Sequence, residues 1–254
     1  MSDIHSLHSG ISDSATVFDL STIAPGAKLL KKPLDHLKYF TILGERCSGT
    51  TFIRYAIEWN LGLEYYPTCG KHFFGHDNSV FETEKMKETL VICVVRGPVE
   101  WIDSYFKRLH HVVPHNKRSI YNFLNNEFYT IHEVLPLKGQ ERMDDRHIMT
   151  NYRYRNIFEL RKVKHEFMLR ELPHLVPYSM VLRYEDMRED YDNTLDRILE
   201  RYHLERLENP YKIITQYKGT YTANYAIKSI LLGSREQSHI LNSIDREQEA
   251  ELGY

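Results

Sequence analysis

Stretches of apolar residues alternate along the chain with segments of helical periodicity. The runs from Lys38 to Leu43 and from Leu90 to Val95 are rich in β-branched or aromatic residues, and we interpret them as buried strands. A further strand is expected over 179–184. Helices are expected from Phe52 to about Gly62 and from Pro98 onward. This alternation predicts the α/β class: a single domain with a central parallel β-sheet flanked by helices.

The same periodicity predicts helices in the second half of the chain. Apolar spacing indicates helices over Ile120–Leu135 and over Tyr152–Leu172, and Pro173 is expected to stop the second one. Another helix is expected over Thr194–Tyr202. The tail from Ser243 to Leu252 predicts an acidic helix with a solvated face.

A glycine loop joins the first strand to its helix. Residues Gly44 to Thr51 fit the spacing of a phosphate-binding P-loop, whose backbone N–H groups and following helix form an anion site. Thr50 stands where a nucleoside-triphosphatase carries its lysine, so the cation that bridges the β- and γ-phosphates is missing. The loop predicts a P-loop-containing, nucleotide-binding fold whose ligand is handled differently from ATP.

A second loop follows the apolar run at Leu90–Val95. It begins at Arg96, and Pro98 suits the first turn of a helix that carries Ser104 eight residues after the arginine. A guanidinium at the carboxyl end of a strand and a hydroxyl on the helix would form a charge-assisted clamp. We expect Arg96 and Ser104 to converge on one terminal phosphate.

With these two loops, the chain resembles the sulfotransferases that use 3′-phosphoadenosine-5′-phosphosulfate (PAPS). Ser48-Gly49-Thr50-Thr51 is similar to the family motif that grips the 5′-phosphosulfate, and Arg96 to Ser104 match the motif that binds the 3′-phosphate. The stretch Met180–Met187 looks like the family's strand ending in Tyr-Glu-Asp. The resemblance runs from about residue 38 to about 200, with a family-like ending at Glu251–Tyr254. It implies PAPS as the donor and 3′-phosphoadenosine-5′-phosphate (PAP) as the product.

The resemblance also implies which residues contact the nucleotide. Phe52 and Tyr184 correspond to positions that stack on adenine, with ordinary core packing as the alternative, and Lys218 to a loop over the 3′-phosphate. The implied cofactor-binding set is Gly44, Arg46, Cys47, Ser48, Gly49, Thr50, Thr51, Phe52, Arg96, Ser104, Tyr184 and Lys218.

One position departs from the family pattern. The basic residue that usually precedes the Ser-Gly pair is replaced by Cys47, and the arginine stands one step earlier, at Arg46. We expect Arg46 to reach the transferred sulfuryl oxygens; the alternative is that it points elsewhere and another cation does this work. Cys47 is expected to be a loop-packing residue, because sulfuryl transfer needs no covalent enzyme intermediate.

The acceptor needs a base to take its proton, and histidine suits this role near neutral pH. His72 lies in the stretch Thr68–Phe74, ahead of the predicted strand at Leu90–Val95, in a region where the family carries such a base, and Lys71 beside it would help to neutralise the sulfate. The alternatives are His76, an acidic residue, a distant histidine, or a His72 that is merely hydrogen-bonded beside Phe73. His72 and His76 have metal-ligand spacing without an evident third ligand, so no metal is expected.

Composition sets limits on the partners. The 254-residue chain has a formal charge of −2, which predicts no general attraction to nucleic acid or to anionic membranes. Three scattered cysteines are too few for a disulfide framework, and no apolar stretch is long enough to span a bilayer, so a cytoplasmic protein is expected. Residues 1–37 are expected to be a mobile tail and approach loop, and residues 38–254 the domain. The oligomeric state is left open.

Together these features predict a sulfotransferase. It would move the sulfuryl group from PAPS to a hydroxyl or amine of a small molecule or carbohydrate, by in-line attack assisted by a general base. Two alternatives stay open: a P-loop kinase or nucleotidase, and a non-catalytic nucleotide-binding protein of the same fold.

Overall fold

Four parallel strands form the central sheet of the computed structural model, which describes residues 37–68, 70–72, 78–215 and 229–254. The strands lie in the order β2-β1-β3-β4. Their bounds are Tyr39–Gly44 for β1, Glu64–Tyr65 for β2, Thr89–Val95 for β3 and Ser179–Arg183 for β4. The predicted α/β domain with a parallel sheet and flanking helices is therefore confirmed. The tail expected at 1–37 lies almost entirely outside the described residues.

Nine helices belong to the described part of the chain. They are α1 Thr50–Asn60, α2 Pro98–Phe106, α3 Ile120–Asn125, α4 Ile157–Glu166, α5 Leu172–Leu175, α6 Tyr184–Glu189, α7 Tyr191–Tyr202, α8 Ser234–Ser243 and α9 Arg246–Glu251. A π-helical turn, Phe167–Glu171, joins α4 to α5, and short 3₁₀ turns lie at Asn78–Phe81, Glu84–Glu88, Pro114–Lys117 and Met143–Asp145. Within the described ranges, none of these helices has the length and apolarity needed to cross a bilayer.

Helices cover both faces of the sheet, and the interior strand β3 is accordingly apolar on both faces. All of β3 is buried: Leu90, Ile92 and Val94 pack into a core with residues of α1, α6 and α7, and the alternate side chains pack into a second core with residues 167–176. This is the burial expected of a parallel strand between two helical layers. The carboxyl ends of β1, β3 and β4 consequently meet at one edge, where ligands of open α/β sheets bind.

The helix predicted over Ile120–Leu135 is wrong beyond Asn125. Ser119 caps the start of α3 by accepting from the Asn122 N–H, but the chain then becomes extended. Phe128 exchanges backbone hydrogen bonds with Tyr154. Pairing with a distant segment replaces the helical bonds that the apolar spacing suggested, and local periodicity does not report such pairing.

The predicted ends of two later helices are also corrected. Asn156 caps α4 by accepting from the Glu159 N–H, so the helix starts at Ile157 rather than at Tyr152. Pro173 does not end the helical segment, which continues to Leu175. It follows a π-helical turn and lies in the first turn of α5, where its missing N–H costs little. The helix predicted from Thr194 begins earlier, at Tyr191.

The C-terminal helix α9 is only in part the solvated acidic face that its composition predicted: Arg246, Glu247 and Ala250 are exposed. Its bounds fall within the expected range, but Gln248 and Glu249 are buried. Glu249 pairs with Arg161 of α4 through both carboxylate oxygens. The prediction was wrong for Glu249 because its negative charge is neutralised by Arg161, a buried residue far away in sequence.

Candidate functional site

The loop between β1 and α1 turns sharply at Cys47 and Gly49, whose φ angles are 65° and 97°. A Cβ on Gly49 would lie 2.2 Å from Cδ2 of Tyr184, so both the backbone conformation and the close approach require glycine. A Cβ on Gly44 would lie 2.6 Å from Cγ2 of Thr50. The N-cap residue of α1 is Gly49, which has no side chain to cap the helix, and the first N–H groups of a helix have no acceptor within it. The loop and helix together have the backbone features of an anion site.

Ser48 and Cys47 stabilise this loop rather than supplying a nucleophile. The buried Ser48 donates from its N–H and its hydroxyl to the Glu45 carbonyl, at 3.2 and 2.8 Å. Burial raises the pKa of the Cys47 thiol to about 11, which keeps it protonated at neutral pH. The nearby positive charges that oppose this rise belong to Arg108, Arg96, Arg46 and Lys71. The tip of the loop is therefore electropositive.

Arg96 connects the end of β3 to the loop. Its Nη1 donates to the Cys47 carbonyl at 3.2 Å, and its guanidinium lies 4.6 Å from the centre of the Tyr184 ring. Within the described residues, its buried Nε has no hydrogen-bond partner. An arginine N–H that is buried without an acceptor is costly, so an anionic ligand at this point would satisfy it.

Ser104 lies in α2, one helical turn after Trp101. Trp101 donates from its indole N–H to the Arg46 carbonyl at 2.8 Å. Arg108, four residues after Ser104, is close enough to lower the pKa of Cys47. Trp101 and Ser104, three residues apart within α2, share one helix face, whereas Arg108 lies beyond the end of α2. Convergence of Arg96 and Ser104 on one phosphate stays a prediction.

Arg46 does not occupy the position that the sequence suggested for it. Its side chain is buried, with Nε donating to Asp145 and Nη2 to Asp144, both at 2.8 Å. Asp145 also accepts from Lys164 Nζ and from the Thr130 hydroxyl, both at 2.7 Å. This geometry favours the alternative, in which Arg46 points elsewhere and another cation serves the loop.

Lys71 is the cation whose position can be compared with that role. Its Nζ donates to the Thr51 hydroxyl at 2.7 Å, which places the ammonium at the first turn of α1. Its backbone carbonyl accepts from the Gly44 N–H at 2.8 Å, so the segment is anchored to the end of β1. Lys71 therefore stands beside the predicted phosphate site, although it lies 20 residues away from Thr51 in sequence.

His72 is held in one tautomer by the end of β1. Its Nδ1 lies 2.7 Å from the Gly44 carbonyl. Because a carbonyl only accepts, Nδ1 carries the proton and Nε2 of the neutral ring is the acceptor. Burial lowers the pKa of His72 well below its ordinary value, and the charges of Arg46 and Lys71 lower it further, against the opposing effect of the Gly44 carbonyl. The ring is neutral at physiological pH, as a general base must be.

Phe52 and Tyr184 lie next to each other in the core behind the loop. Their ring centroids are 5.8 Å apart in an edge-to-face arrangement, and Phe52 also contacts Tyr191. Both rings are buried within the described structure. Their immediate role is packing of α1 against α6 and α7, and stacking on adenine stays a prediction.

His76 and Lys218 lie outside the described residues. Over the ranges that the structure describes, no group of three His, Cys, Asp or Glu side chains is placed to hold a metal ion.

A set of buried polar side chains that the sequence did not predict supports the loop from beneath. Arg161, Lys164 and His165 occur at helical spacing, so they share one face of α4, and this face is buried. Lys164 Nζ donates to the His72 carbonyl at 3.2 Å as well as to Asp145. Arg161 and His165 both contact Glu45, the first residue of the loop. Three basic residues on one face of a helix were the available signal.

Searches with protein-family models, curated proteins and solved structures each found no match to this chain.

Proposed function

We propose that this protein is a PAPS-dependent sulfotransferase that acts on a hydroxyl or amine acceptor. The observation that carries the proposal is the meeting of three features at the carboxyl end of β1: the start of α1 at its N-cap Gly49, the Lys71 ammonium at the Thr51 hydroxyl, and His72, whose Nδ1 lies 2.7 Å from the Gly44 carbonyl. An anion-binding helix start, a cation and a neutral base are the parts that sulfuryl transfer needs. The resemblance of the two loop motifs to the sulfotransferases supports the same assignment.

The residues present suit a nucleotide with phosphate groups at both ends of the ribose. Arg96, with its unpartnered Nε within the described residues, and Ser104 would hold the 3′-phosphate. The N–H groups of the loop and of the first turn of α1 would hold the 5′-phosphosulfate. PAPS would supply the activated sulfuryl group. The loop that the sequence predicted to bind a nucleotide in the P-loop manner would therefore bind PAPS.

Each protein group has one task in the proposed reaction. His72 accepts the acceptor's proton at Nε2 while the new bond to sulfur forms. The bond from sulfur to the bridging phosphate oxygen breaks, and the charge that develops on this oxygen is stabilised by the loop N–H groups and Lys71. Arg46, which the sequence suggested for this last role, instead braces the loop through Asp144 and Asp145.

A turnover assay tests the proposal. The protein is incubated with PAPS, a panel of phenols, amines and sugars, and excess EDTA, and PAP release and acceptor sulfation are measured. We expect metal-independent release of PAP that depends on one acceptor class and falls sharply in His72→Ala. Transfer of phosphate from ATP that requires magnesium would assign the protein to the kinases instead. Tight PAP binding with no turnover on any acceptor would favour a non-catalytic nucleotide-binding protein.

A further inference from the structure

A cluster of four buried ionisable residues lies behind the two predicted phosphate loops. Arg161, Glu45, His165 and Glu249 are each no more than 3% exposed. Arg161 donates to Glu249 through Nε at 2.5 Å and Nη2 at 2.8 Å, and to Glu45 through Nη1 at 3.2 Å. His165 Nε2 lies 3.2 Å from the same Glu45 oxygen. The proposed mechanism uses none of these four side chains.

Arg161 also touches the second phosphate loop. Its Nη2 donates to the backbone carbonyl of Arg96 at 2.9 Å. One guanidinium therefore forms hydrogen bonds with Glu45 of the P-loop, with the backbone of the predicted 3′-phosphate clamp at Arg96 and with the C-terminal helix α9. A buried ion cluster contributes little net stability compared with an apolar core, because desolvation offsets the attraction. Its fixed geometry is the property that an apolar replacement would lose.

A second contact from the C-terminal segment reaches the same place. The Tyr254 hydroxyl donates to Glu185 Oε2 at 2.8 Å, and Oε1 of this carboxylate accepts from the Gly97 N–H at 3.1 Å. The Tyr254 ring stands close to Gly97, since a Cβ there would meet its Cε1 at 3.5 Å. Arg183 adds a further tie by donating to the Gly253 carbonyl. The chain end thus contacts the residue that follows Arg96.

We propose that the segment Arg246–Tyr254 is a positioning element that fixes the spacing of the two phosphate loops, with Arg161 as the residue that joins all three. Glu249 holds the guanidinium in the orientation that reaches both Glu45 and Arg96. Tyr254 holds Gly97 through Glu185. The consequence for ligand binding rests on the proposed function, whereas the mechanical link between the segment and the loops does not.

The matched variants are Glu249→Gln and Glu251→Gln. Both remove one charge from α9, but Glu251 forms its ion pair with Arg170 on the surface, away from the loops. Hydrogen exchange is measured on peptides that cover 44–52 and 94–99, and the affinities for PAP and AMP are measured in the same samples. We expect Glu249→Gln to exchange about tenfold faster in both loops and to lose about tenfold of its preference for PAP over AMP, and Glu251→Gln to match the wild type.

Two results would overturn the inference. The first is wild-type exchange in both loops of a folded Glu249→Gln protein. The second is an equal effect of Glu251→Gln, which would indicate general loosening of α9. If Glu249→Gln does not fold, Tyr254→Phe is used instead. Hydrogen exchange at 94–99 is then expected to be faster than in the wild type, and unchanged exchange there would count against the inference. If the wild type shows no preference for PAP, the proposed function fails, but the exchange result still decides whether the segment positions the loops.

Discussion

The assignment of the loop cation leads to opposite expectations for Lys71 and Arg46. Lys71→Met removes the ammonium that donates to Thr51 but retains the aliphatic stem. Arg46→Ala removes a guanidinium that is bound to Asp144 and Asp145. The first variant is expected to lose activity with little loss of stability, and the second to lose mainly stability.

The magnitudes follow from the contacts. A charge-assisted hydrogen bond contributes about 1.5–3 kcal/mol, so Lys71→Met should lower kcat/KM by roughly tenfold to a hundredfold. Breaking a buried ion pair costs about 3–5 kcal/mol. Asp145 keeps Lys164 and Thr130 as partners, so we expect about 3 kcal/mol for Arg46→Ala, which lowers Tm by about 6–12 °C in a chain of this size.

The measurements are PAP release from PAPS and thermal or urea unfolding of each variant. Arg142→Ala is the matched control for Arg46→Ala, because Arg142 also pairs with Asp144 but is about one quarter exposed. A pair at that exposure is worth about 0–1 kcal/mol. A stable Arg46→Ala protein that has lost turnover, together with a fully active Lys71→Met protein, would refute the assignment and return the catalytic role to Arg46.

Two other predictions concern the base and the loop glycine. His72→Ala should lose about 10²–10⁴-fold in kcat while it keeps nucleotide affinity. Because the pKa of His72 in the free protein is lowered well below 6.5 and the base acts when neutral, wild-type kcat/KM should stay level from pH 8 through 6.5 and fall only in more acidic solution. A midpoint at or above 6.5 would exclude the assigned environment. Gly49→Ala should lower the free energy of unfolding by about 2–4 kcal/mol, from left-handed backbone strain plus the clash with Tyr184. The control is Gly139→Ala, where φ is 86° and an added Cβ would meet no atom within 4 Å. It should show the backbone cost alone, about 1–2 kcal/mol. Equal losses of unfolding free energy in urea for the two variants would argue against the clash with Tyr184.

The sequence carried enough information for the sheet and for the spacing of the loops. An uninterrupted apolar run such as Leu90–Val95 has one stable environment, between two layers of helices, so it identified a central parallel strand. The glycine at position 49 is required locally, by the loop's own backbone and packing. Features that depend on a few consecutive residues were therefore predictable.

The direction of the charged side chains was not predictable in the same way. Arg46 is paired with Asp144, 98 residues away, and Arg161 with Glu249, 88 residues away. Nothing near Arg46 in sequence distinguishes an arginine that faces a ligand from one that braces a loop. The extended course of the chain after Asn125 was missed for a similar reason, since Phe128 pairs with Tyr154.

The most direct test of the central proposal is a calorimetric titration of PAP and of AMP into the wild type and into Arg96→Ala. PAP carries the 3′-phosphate that Arg96 and Ser104 are proposed to clamp, and AMP lacks it. Because the arginine contact is worth about 1.5–3 kcal/mol, the wild type should bind PAP at least about tenfold more tightly than AMP. A folded Arg96→Ala protein should bind the two nucleotides equally. Equal affinity of the wild type for PAP and AMP would contradict the clamp and, with it, the assignment of this protein as a PAPS-dependent sulfotransferase.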